Sequence, residues 1–258
     1  MRVFPRFVLC YDFHRLKEKE AGETMMKRLL MSLLVALFAV PLLSLSPYPA
    51  AHGVLLNESG LKVRTIPSHD LLGRIVIVPE ADFSAAQATK TIRTLARIDR
   101  AILEQAAAHH IYIQLVTGPI TNEPTARHLR GKTPRGYAPG SKTWDEVPGL
   151  GGSQLVLVRL GHSEKGKGHG SVNLELHEFA HSLDSIVFDG IHRSSAFQAI
   201  WREEAPRLFP GESYFLTYPE EYFAESFAYY YASDETRDKL RAVAPNTYAF
   251  IRRLAERG

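Results

Sequence analysis

Two histidines and a glutamate in the segment ELHEFAHSLD (175–184) have the spacing of a metal site. His177 and His181 stand four residues apart, so on a helix both imidazoles lie on one face, about a turn apart. Glu178 follows the first histidine and could hold a water molecule bound to the same ion. A core helix with two satisfied polar side chains can show the same pattern, so the spacing alone leaves both interpretations open.

The residues around the two histidines favour the metal site. They are apolar at helical intervals, which predicts a buried helix: Leu174, Leu176, Phe179, Ala180 and Leu183. Imidazoles buried without partners are costly, and a cation between them removes that cost. The pattern His-Glu-x-x-His on a helix is typical of zinc peptidases in which the glutamate acts as general base.

A third ligand has to come from elsewhere in the chain. The pattern HExxHxxGxxH would supply a histidine, but the chain reads HEFAHSLDSIV, which excludes that class. His192 is interpreted as a loop histidine, because Asp189 and Gly190 indicate a turn before it. The segment EEYFAES places Glu221 and Glu225 four residues apart among aromatic residues that predict burial. Buried carboxylates need a cation or donors, so Glu221 is the predicted ligand and Glu225 the predicted acceptor for a ligand-histidine N–H.

The elements that must position these residues begin with strands. β-branched and apolar runs predict strands at 74–79, 111–117 and 154–160. Helical spacing predicts one helix over 82–110, with Asp82 or Ser84 as its N-cap. Residues 118–153 are rich in Gly and Pro and are predicted to form a functional loop, since this length is unusual for a plain connection.

From residue 171 onward the chain is predicted to be helical. The predicted helices are 171–188 with Ser171 as N-cap, 194–209, 218–233 with Pro219 at its first position, and two C-terminal helices. The expected fold is therefore α+β. It has a small mixed α/β N-terminal subdomain with a short twisted sheet (about 52–168) and an all-helical C-terminal subdomain (about 169–258). A zincin-type active-site helix lies at their junction, within a single catalytic domain of residues 52–258.

The second half of the chain resembles a known family. SYFLTYPEEYFAESFAYYY (213–231) resembles the second zinc segment of the anthrax lethal factor-like metallopeptidases, which place a tyrosine seven residues before the ligand glutamate. The segments KTPRGYAPGSKTWDEVPGLGGS and LVLVRLGHSEKGKGHGSVNLELHEFAHSLD extend the resemblance to the secreted Pro-Pro endopeptidases of that group. It covers most of residues 132–258, in order, which is far more specific than His-Glu-x-x-His alone.

The resemblance implies one Zn²⁺ per chain and a role for each residue around it. His177, His181 and Glu221 would hold the ion. Glu178 would act as general base, taking a proton from the attacking water and delivering it to the leaving nitrogen. Tyr214, seven residues before Glu221, would hydrogen-bond the tetrahedral oxyanion. From spacing alone, Tyr214 could equally be a surface aromatic between helices.

The resemblance also implies a proline-rich protein or peptide as substrate, cleaved between two prolines. Trp144 would stand beside the cleft, and Lys142 and Glu220 would form a charge pair that fixes the loop over the substrate. Without the resemblance, these residues would be a core filler and two solvated charges. Strand 154–160 would be an edge strand on which extended peptide docks.

Composition excludes other classes of function. The 258 residues are 45% hydrophobic and 23% charged, as in ordinary globular proteins. Residues 1–51 hold seven Lys/Arg and four Asp/Glu, so residues 52–258 carry 24 of each. Such a balance lacks the basic footprint of a nucleic-acid binder, and we expect no nucleic-acid partner.

The N-terminal 51 residues are predicted to be an upstream extension followed by a signal peptide. The basic Met26-Lys27-Arg28 precedes the apolar stretch 29–43, which is shorter than the roughly 20 residues that span a bilayer. An uncleaved anchor is the alternative. The only cysteine, Cys10, lies in this extension, so the mature chain tolerates an oxidising exterior. We therefore expect a secreted monomer without stable membrane insertion.

Two rival functions stay open. One is a lethal factor-like zinc endopeptidase with different or broader specificity, using the same catalytic residues. The other is a non-catalytic surface-binding module, which would be expected to have lost a zinc ligand or the base. None of these positions is lost here.

Overall fold

The structure, a computed structural model, describes residues 51–256. The predicted signal peptide and Cys10 lie outside the described residues, so the expectations that rest on them stay predictions. None of the helices between residues 51 and 256 combines the length and apolarity needed to span a bilayer.

A five-stranded mixed sheet lies in the N-terminal half of the described chain. Its strands are β1 (Val54–Leu55), β2 (Val76–Val78), β3 (Tyr112–Val116), β4 (Gly149–Leu150) and β5 (Leu155–Arg159). Their spatial order is β1-β2-β3-β5-β4, with the three inner strands parallel and the two outer strands antiparallel to their neighbours. The inner strands are almost wholly buried, as expected of parallel strands covered on both faces.

The strand predicted at 154–160 is internal, and the prediction that it offers an edge to substrate is wrong. β5 pairs with β3 over five residues on one side and with β4 on the other. The two-residue β4 is therefore the outer strand on this side. A strand as short as Gly149–Leu150 has no periodicity of its own, so the sequence pattern could not reveal it.

Three helices precede the long loop: α1 (His69–Ile75), α2 (Ala85–Leu95) and α3 (Arg100–Ala108). Ser84 caps α2 as predicted, because its hydroxyl accepts the Gln87 N–H at 3.3 Å. The helix predicted over 82–110 is interrupted between α2 and α3, which corrects that prediction. Asp99 at this break accepts a hydrogen bond from the Tyr231 hydroxyl at 2.7 Å, a contact across the molecule that local periodicity does not encode.

The chain from residue 174 to residue 256 is helical, as predicted. Its helices are α4 (Leu174–Ser182), α5 (Ser195–Leu208), α6 (Ser213–Thr217), α7 (Pro219–Ala232), α8 (Asp234–Val243) and α9 (Pro245–Arg252). The N-cap of α4 is Asn173 and not Ser171, since the Asn173 side chain accepts the Leu176 N–H at 2.9 Å. After Ser182 the chain forms a π-helical turn, Leu183–Val187. Pro219 opens α7, as predicted.

One apolar core joins the sheet half to the helical half. α4 packs against α7, β5 and α2, and three aromatic side chains carried by α4 and α7 are fully buried: Phe179, Phe223 and Phe227. A smaller apolar cluster includes Tyr112, Leu155 and Leu157, with Trp144 packed against it. The predicted α+β fold, with the histidine helix at the junction, is confirmed. The subdomain boundary near residue 168 stays a prediction.

Candidate metal centre and active site

Helices α4 and α7 bring the three predicted metal ligands together. His177 and His181 lie one turn apart on α4, and Glu221 lies in the first turn of α7. His177 Nε2 lies 3.2 Å from His181 Nε2 and 3.2 Å from Glu221 Oε2. His181 Nε2 lies 3.4 Å from the same oxygen. Within residues 51–256, this is the one group of His, Cys or acidic side chains that could hold a metal ion.

The donor atoms and their spacing fit a tetrahedral metal ion. Zinc bonds to imidazole nitrogen and carboxylate oxygen are about 2.0–2.1 Å long, which gives a tetrahedron with edges of about 3.3–3.4 Å. The observed separations of 3.2–3.4 Å agree with those edges. Three protein ligands are also the number typical of catalytic sites, which keep a position for water or substrate.

The electrostatics of the group favour a positive charge between the ligands. Burial opposes protonation of His177, but hydrogen bonds to Glu221 and Glu225 outweigh it and raise its pKa to about 10. Burial also favours the neutral form of Glu221, yet hydrogen bonds from His177 and His181 hold its pKa well below the usual range. A divalent cation can replace the proton and satisfy all three ligands, because metal binding displaces protons from imidazole.

Glu225 contacts the far side of His177. Its Oε2 lies 3.0 Å from His177 Nδ1, and its Oε1 accepts the Val172 N–H at 2.8 Å. The carboxylate is 2% exposed, so water does not compete for these contacts. A carboxylate on one ring nitrogen fixes the tautomer and leaves the lone pair of the other nitrogen for a metal.

Gly149 and Gly151 pack directly against Glu178. A Cβ at Gly149 would lie 2.7 Å from the Glu178 Cγ, and one at Gly151 would lie 2.0 Å from the Glu178 carbonyl oxygen. Only glycine permits this approach of one backbone to another. The resulting burial raises the pKa of Glu178, as suits a general base that works near neutral pH.

Tyr214 and Arg135 both contact the outer oxygen of Glu221. The Tyr214 hydroxyl donates to Glu221 Oε1 at 2.8 Å, and Arg135 Nη2 donates to the same atom at 2.8 Å. Arg135 Nη1 donates to Glu220 Oε1 at 2.7 Å, and its guanidinium lies 4.2 Å from the centre of the Tyr218 ring. Burial and the neighbouring Glu221 raise the pKa of Tyr214, so the phenol keeps its proton and stays a donor.

The expected ion pair between Lys142 and Glu220 is not formed. Glu220 pairs with Arg135, while the Lys142 ammonium donates to the Gly168 carbonyl at 2.6 Å. The planar guanidinium of Arg135 contacts Glu220 and Glu221 at once, which the point charge of a lysine matches less well. The roles of Lys142 and Glu220 in substrate binding stay predictions.

A cleft of about 850 Å³ contains the metal ligands. Glu178, Tyr214, Trp144 and Glu220 line it, whereas Lys142 does not. Trp144 is partly buried and packs against the smaller apolar cluster, which holds it in the cleft wall. The cleft thus gathers the predicted base, the predicted oxyanion donor and an aromatic wall around one candidate ion site.

Several site residues were not singled out from the sequence. Gly149 and Gly151 had a usable signal, because glycines directly before a predicted strand indicate close backbone approach. Arg135 had none, since its partners lie about 85 residues away. His192 is not a ligand, consistent with its interpretation as a loop histidine, but it lines the cleft and is bound to Asp184.

Comparison with known proteins finds the same architecture. The family model described as anthrax toxin lethal factor, N- and C-terminal domain, matches residues 62–254. That range includes α4, α7 and all three potential ligands.

Two characterised relatives carry the name Pro-Pro endopeptidase. The relative from Clostridioides difficile (strain 630) is 39% identical over 225 residues, which cover 87% of this chain and 97% of that protein. The relative from Paenibacillus alvei is 38% identical over 192 residues, which cover 73% of this chain and 88% of that protein. The solved structure of the Pro-Pro endopeptidase PPEP-2 from Paenibacillus alvei superposes with a TM-score of 0.68 at 38% identity, covering 71% of this chain and 99% of that one. The likeness extends over nearly the whole length of each relative, and so includes a whole catalytic fold and not one motif.

Proposed function

The chain belongs to the Pro-Pro endopeptidase family within the anthrax toxin lethal factor-like metallopeptidases, and from this premise we propose that it is a secreted zinc endopeptidase that hydrolyses bonds between two prolines in extracellular or cell-surface proteins. The observation that carries the proposal is the triangle of His177, His181 and Glu221 beside Glu178 in the cleft. Zinc is the proposed ion because two imidazoles and one carboxylate are a ligand set typical of catalytic zinc.

Zn²⁺ bound there would polarise the scissile carbonyl and lower the pKa of a water molecule. Glu178 takes a proton from the attacking water and passes it to the leaving proline nitrogen. The Tyr214 phenol donates a hydrogen bond to the oxyanion as charge develops on the carbonyl oxygen. Because that phenol is bonded to Glu221, it exchanges this contact for the substrate oxygen during the reaction. Glu225 holds His177 in one tautomer throughout.

The proline specificity is proposed from the family and from the shape of the cleft. Proline fixes φ and has no backbone N–H, so the pair itself cannot be held by strand-type pairing. Trp144 and Tyr214 offer aromatic walls that suit the two pyrrolidine rings.

Secretion is proposed from the basic and apolar segment 26–43.

A peptide library of the form X-Pro-Pro-X, with and without a chelator, tests the proposal. We expect mass spectrometry to find cleavage between the two prolines, loss of cleavage with chelator, recovery with Zn²⁺, and about one zinc per chain. Glu178→Ala is the matched control, because it removes the base while leaving the three ligands in place.

A second candidate function is a zinc endopeptidase of different or broader specificity. One observation favours it: Lys142 and Glu220 form no ion pair with each other. Peptides without proline at the scissile bond decide between the two. If they are cut as fast as Pro-Pro peptides, the chain is a zinc endopeptidase of broader specificity.

Detection of the protein only inside the producing cells would contradict the proposed secretion.

A further inference from the structure

Asp184 and His192 form a hydrogen-bonded pair at one wall of the cleft. Asp184 lies on the π-helical turn that follows α4 and is 2% exposed. Its carboxylate accepts the backbone N–H of His192 at 3.1 Å and also bonds the Nδ1 atom of that imidazole. Both residues line the cleft that contains the metal ligands. The pair is thus part of the substrate cavity although neither residue belongs to the metal site.

The backbone between the two residues is shaped to place the imidazole there. Asp189 and Gly190 both adopt left-handed conformations, with φ of 51° and 68°. The Gly190 N–H then returns to the Asp184 carbonyl at 2.6 Å, and Gln198 donates to the His192 carbonyl at 2.8 Å from the other side. A left-handed non-glycine residue stores strain, and such strain clusters at functional sites.

The contact with Asp184 determines which ring nitrogen of His192 is left for a hydrogen bond in the cleft. A carboxylate without a proton only accepts hydrogen bonds, so the neutral tautomer that fits this contact has its proton on Nδ1 and a lone pair on Nε2. Nε2 has no hydrogen-bond partner among residues 51–256 and is not enclosed. In this tautomer the cleft wall presents a hydrogen-bond acceptor that the catalytic steps do not use.

A substrate with a proline pair has a matching donor only outside that pair. Neither proline carries an N–H, whereas each flanking residue does, and extended peptides are held in clefts by main-chain hydrogen bonds. Resting on the function proposed above, we propose that His192 is a substrate-binding residue. Its Nε2 accepts a main-chain N–H from a residue that flanks the two prolines, and Asp184 positions the ring.

A purely structural role for the pair would have a different signature. If Asp184 and His192 only stabilised the turn, replacing the imidazole would lower thermal stability, and any loss of activity would be the same for every peptide. A hydrogen bond to substrate instead affects kcat/KM only when the peptide carries the N–H in question.

The test is a double-mutant cycle between the enzyme and the peptide backbone. His192→Phe keeps a flat ring without an acceptor, while His192→Gln can retain both the contact to Asp184 and an acceptor oxygen. Each is compared with wild type on the best library peptide and on ester analogues in which one flanking N–H at a time is replaced by oxygen. Zinc content and Tm are measured for each variant.

We expect one ester to lower wild-type kcat/KM by roughly three- to tenfold, the size of one hydrogen bond. His192→Phe should lose a similar factor on the amide peptide and nothing further on that ester, and His192→Gln should recover part of the loss. Wild-type kcat/KM in His192→Phe overturns the inference, as does an equal ester penalty in both enzymes.

Two other outcomes are separable. If His192→Phe does not fold, His192→Ala replaces it in the same cycle, since it leaves only a small gap that opens to the cleft. A wild-type enzyme that cuts no proline pair refutes the proposed function, and the cycle is then run on the peptide that it does cut.

Discussion

At the scale of single residues, the two carboxylate oxygens of Glu221 have different partners. Oε2 lies within 3.4 Å of both imidazoles, while Oε1 accepts hydrogen bonds from Tyr214 and Arg135. Two donors on the outer oxygen leave the inner one for a metal. The Tyr214 phenol is therefore held beside the candidate metal site before substrate arrives.

Tyr214→Phe should lose turnover and keep the metal. Arg135 still donates to Glu221 Oε1 in this variant, so the ligand stays in place, whereas a lost oxyanion donor costs about 10²- to 10³-fold in kcat. Steady-state kinetics and zinc stoichiometry check both halves of the prediction. Tyr229→Phe, on α7 with no hydrogen bond from its hydroxyl among the described residues, is the control. Loss of zinc from Tyr214→Phe would contradict the assigned role.

Glu225→Gln should weaken metal binding. The amide no longer accepts from His177 Nδ1 with full negative charge, and loss of such a contact costs about 10- to 100-fold in affinity. Competition with a chelating indicator measures the change. Glu204→Gln is the control, because Glu204 is equally buried but accepts N–H groups of Asn246 and Thr247 in the helical core. Equal zinc affinity in Glu225→Gln and wild type would show that the contact does not tune the metal.

At the scale of elements, the site depends on how closely β4 approaches α4. The glycines at 149 and 151 leave no Cβ where this segment contacts Glu178. α4 itself is capped by Asn173 and stops in a π-helical turn, which brings Asp184 into the cleft wall.

Gly151→Ala should lower activity because it displaces the segment that follows β4, and it should leave metal binding unchanged. Its Cβ would meet the Glu178 carbonyl at 2.0 Å, so the segment has to move away from α4. We expect kcat/KM to fall by more than tenfold, as about 1–3 kcal/mol of overpacking strain displaces the base, while zinc content stays unchanged. Gly60→Ala is the matched control, because its Cβ would have no neighbour within 4 Å. Wild-type kinetics in Gly151→Ala would show that the approach is not required.

For the whole molecule, one core couples the sheet half to the helical half. Most buried apolar residues between Leu56 and Leu254 belong to one cluster, which includes α4 and the face of the sheet behind it. The two predicted subdomains therefore share the packing that stabilises them. Separation at residue 168 would expose the buried faces of α4 and β5 together.

A chain of residues 48–258 should fold and cleave peptides like the full chain. These residues form one compact unit, and among the described residues the buried core cluster starts at Leu56. We expect a single cooperative thermal transition, since small units with one core unfold as a whole. Calorimetry and kcat/KM measure this. Two separate transitions, or failure of the shorter chain to fold, would refute it.

Local residue patterns in the sequence were enough to predict the candidate metal site of this protein. His177, Glu178 and His181 could be found because i and i+4 positions share a helix face, and Glu221 and Glu225 because acidic residues stood out in an aromatic, buried segment. The α+β order of elements followed from the same periodicities.

The tertiary structure alone decided which distant groups meet. Packing places Arg135, and not Lys142, on Glu220, and it places His192 beside the cleft. It also makes β4 the outer strand and brings Tyr231 onto Asp99 at the break between α2 and α3. No regular spacing along the sequence relates these groups. The physical reason is the distance along the chain over which a sequence pattern can relate two residues. Helix and strand periods relate residues a few positions apart, whereas these contacts depend on how whole elements pack, which no local pattern encodes.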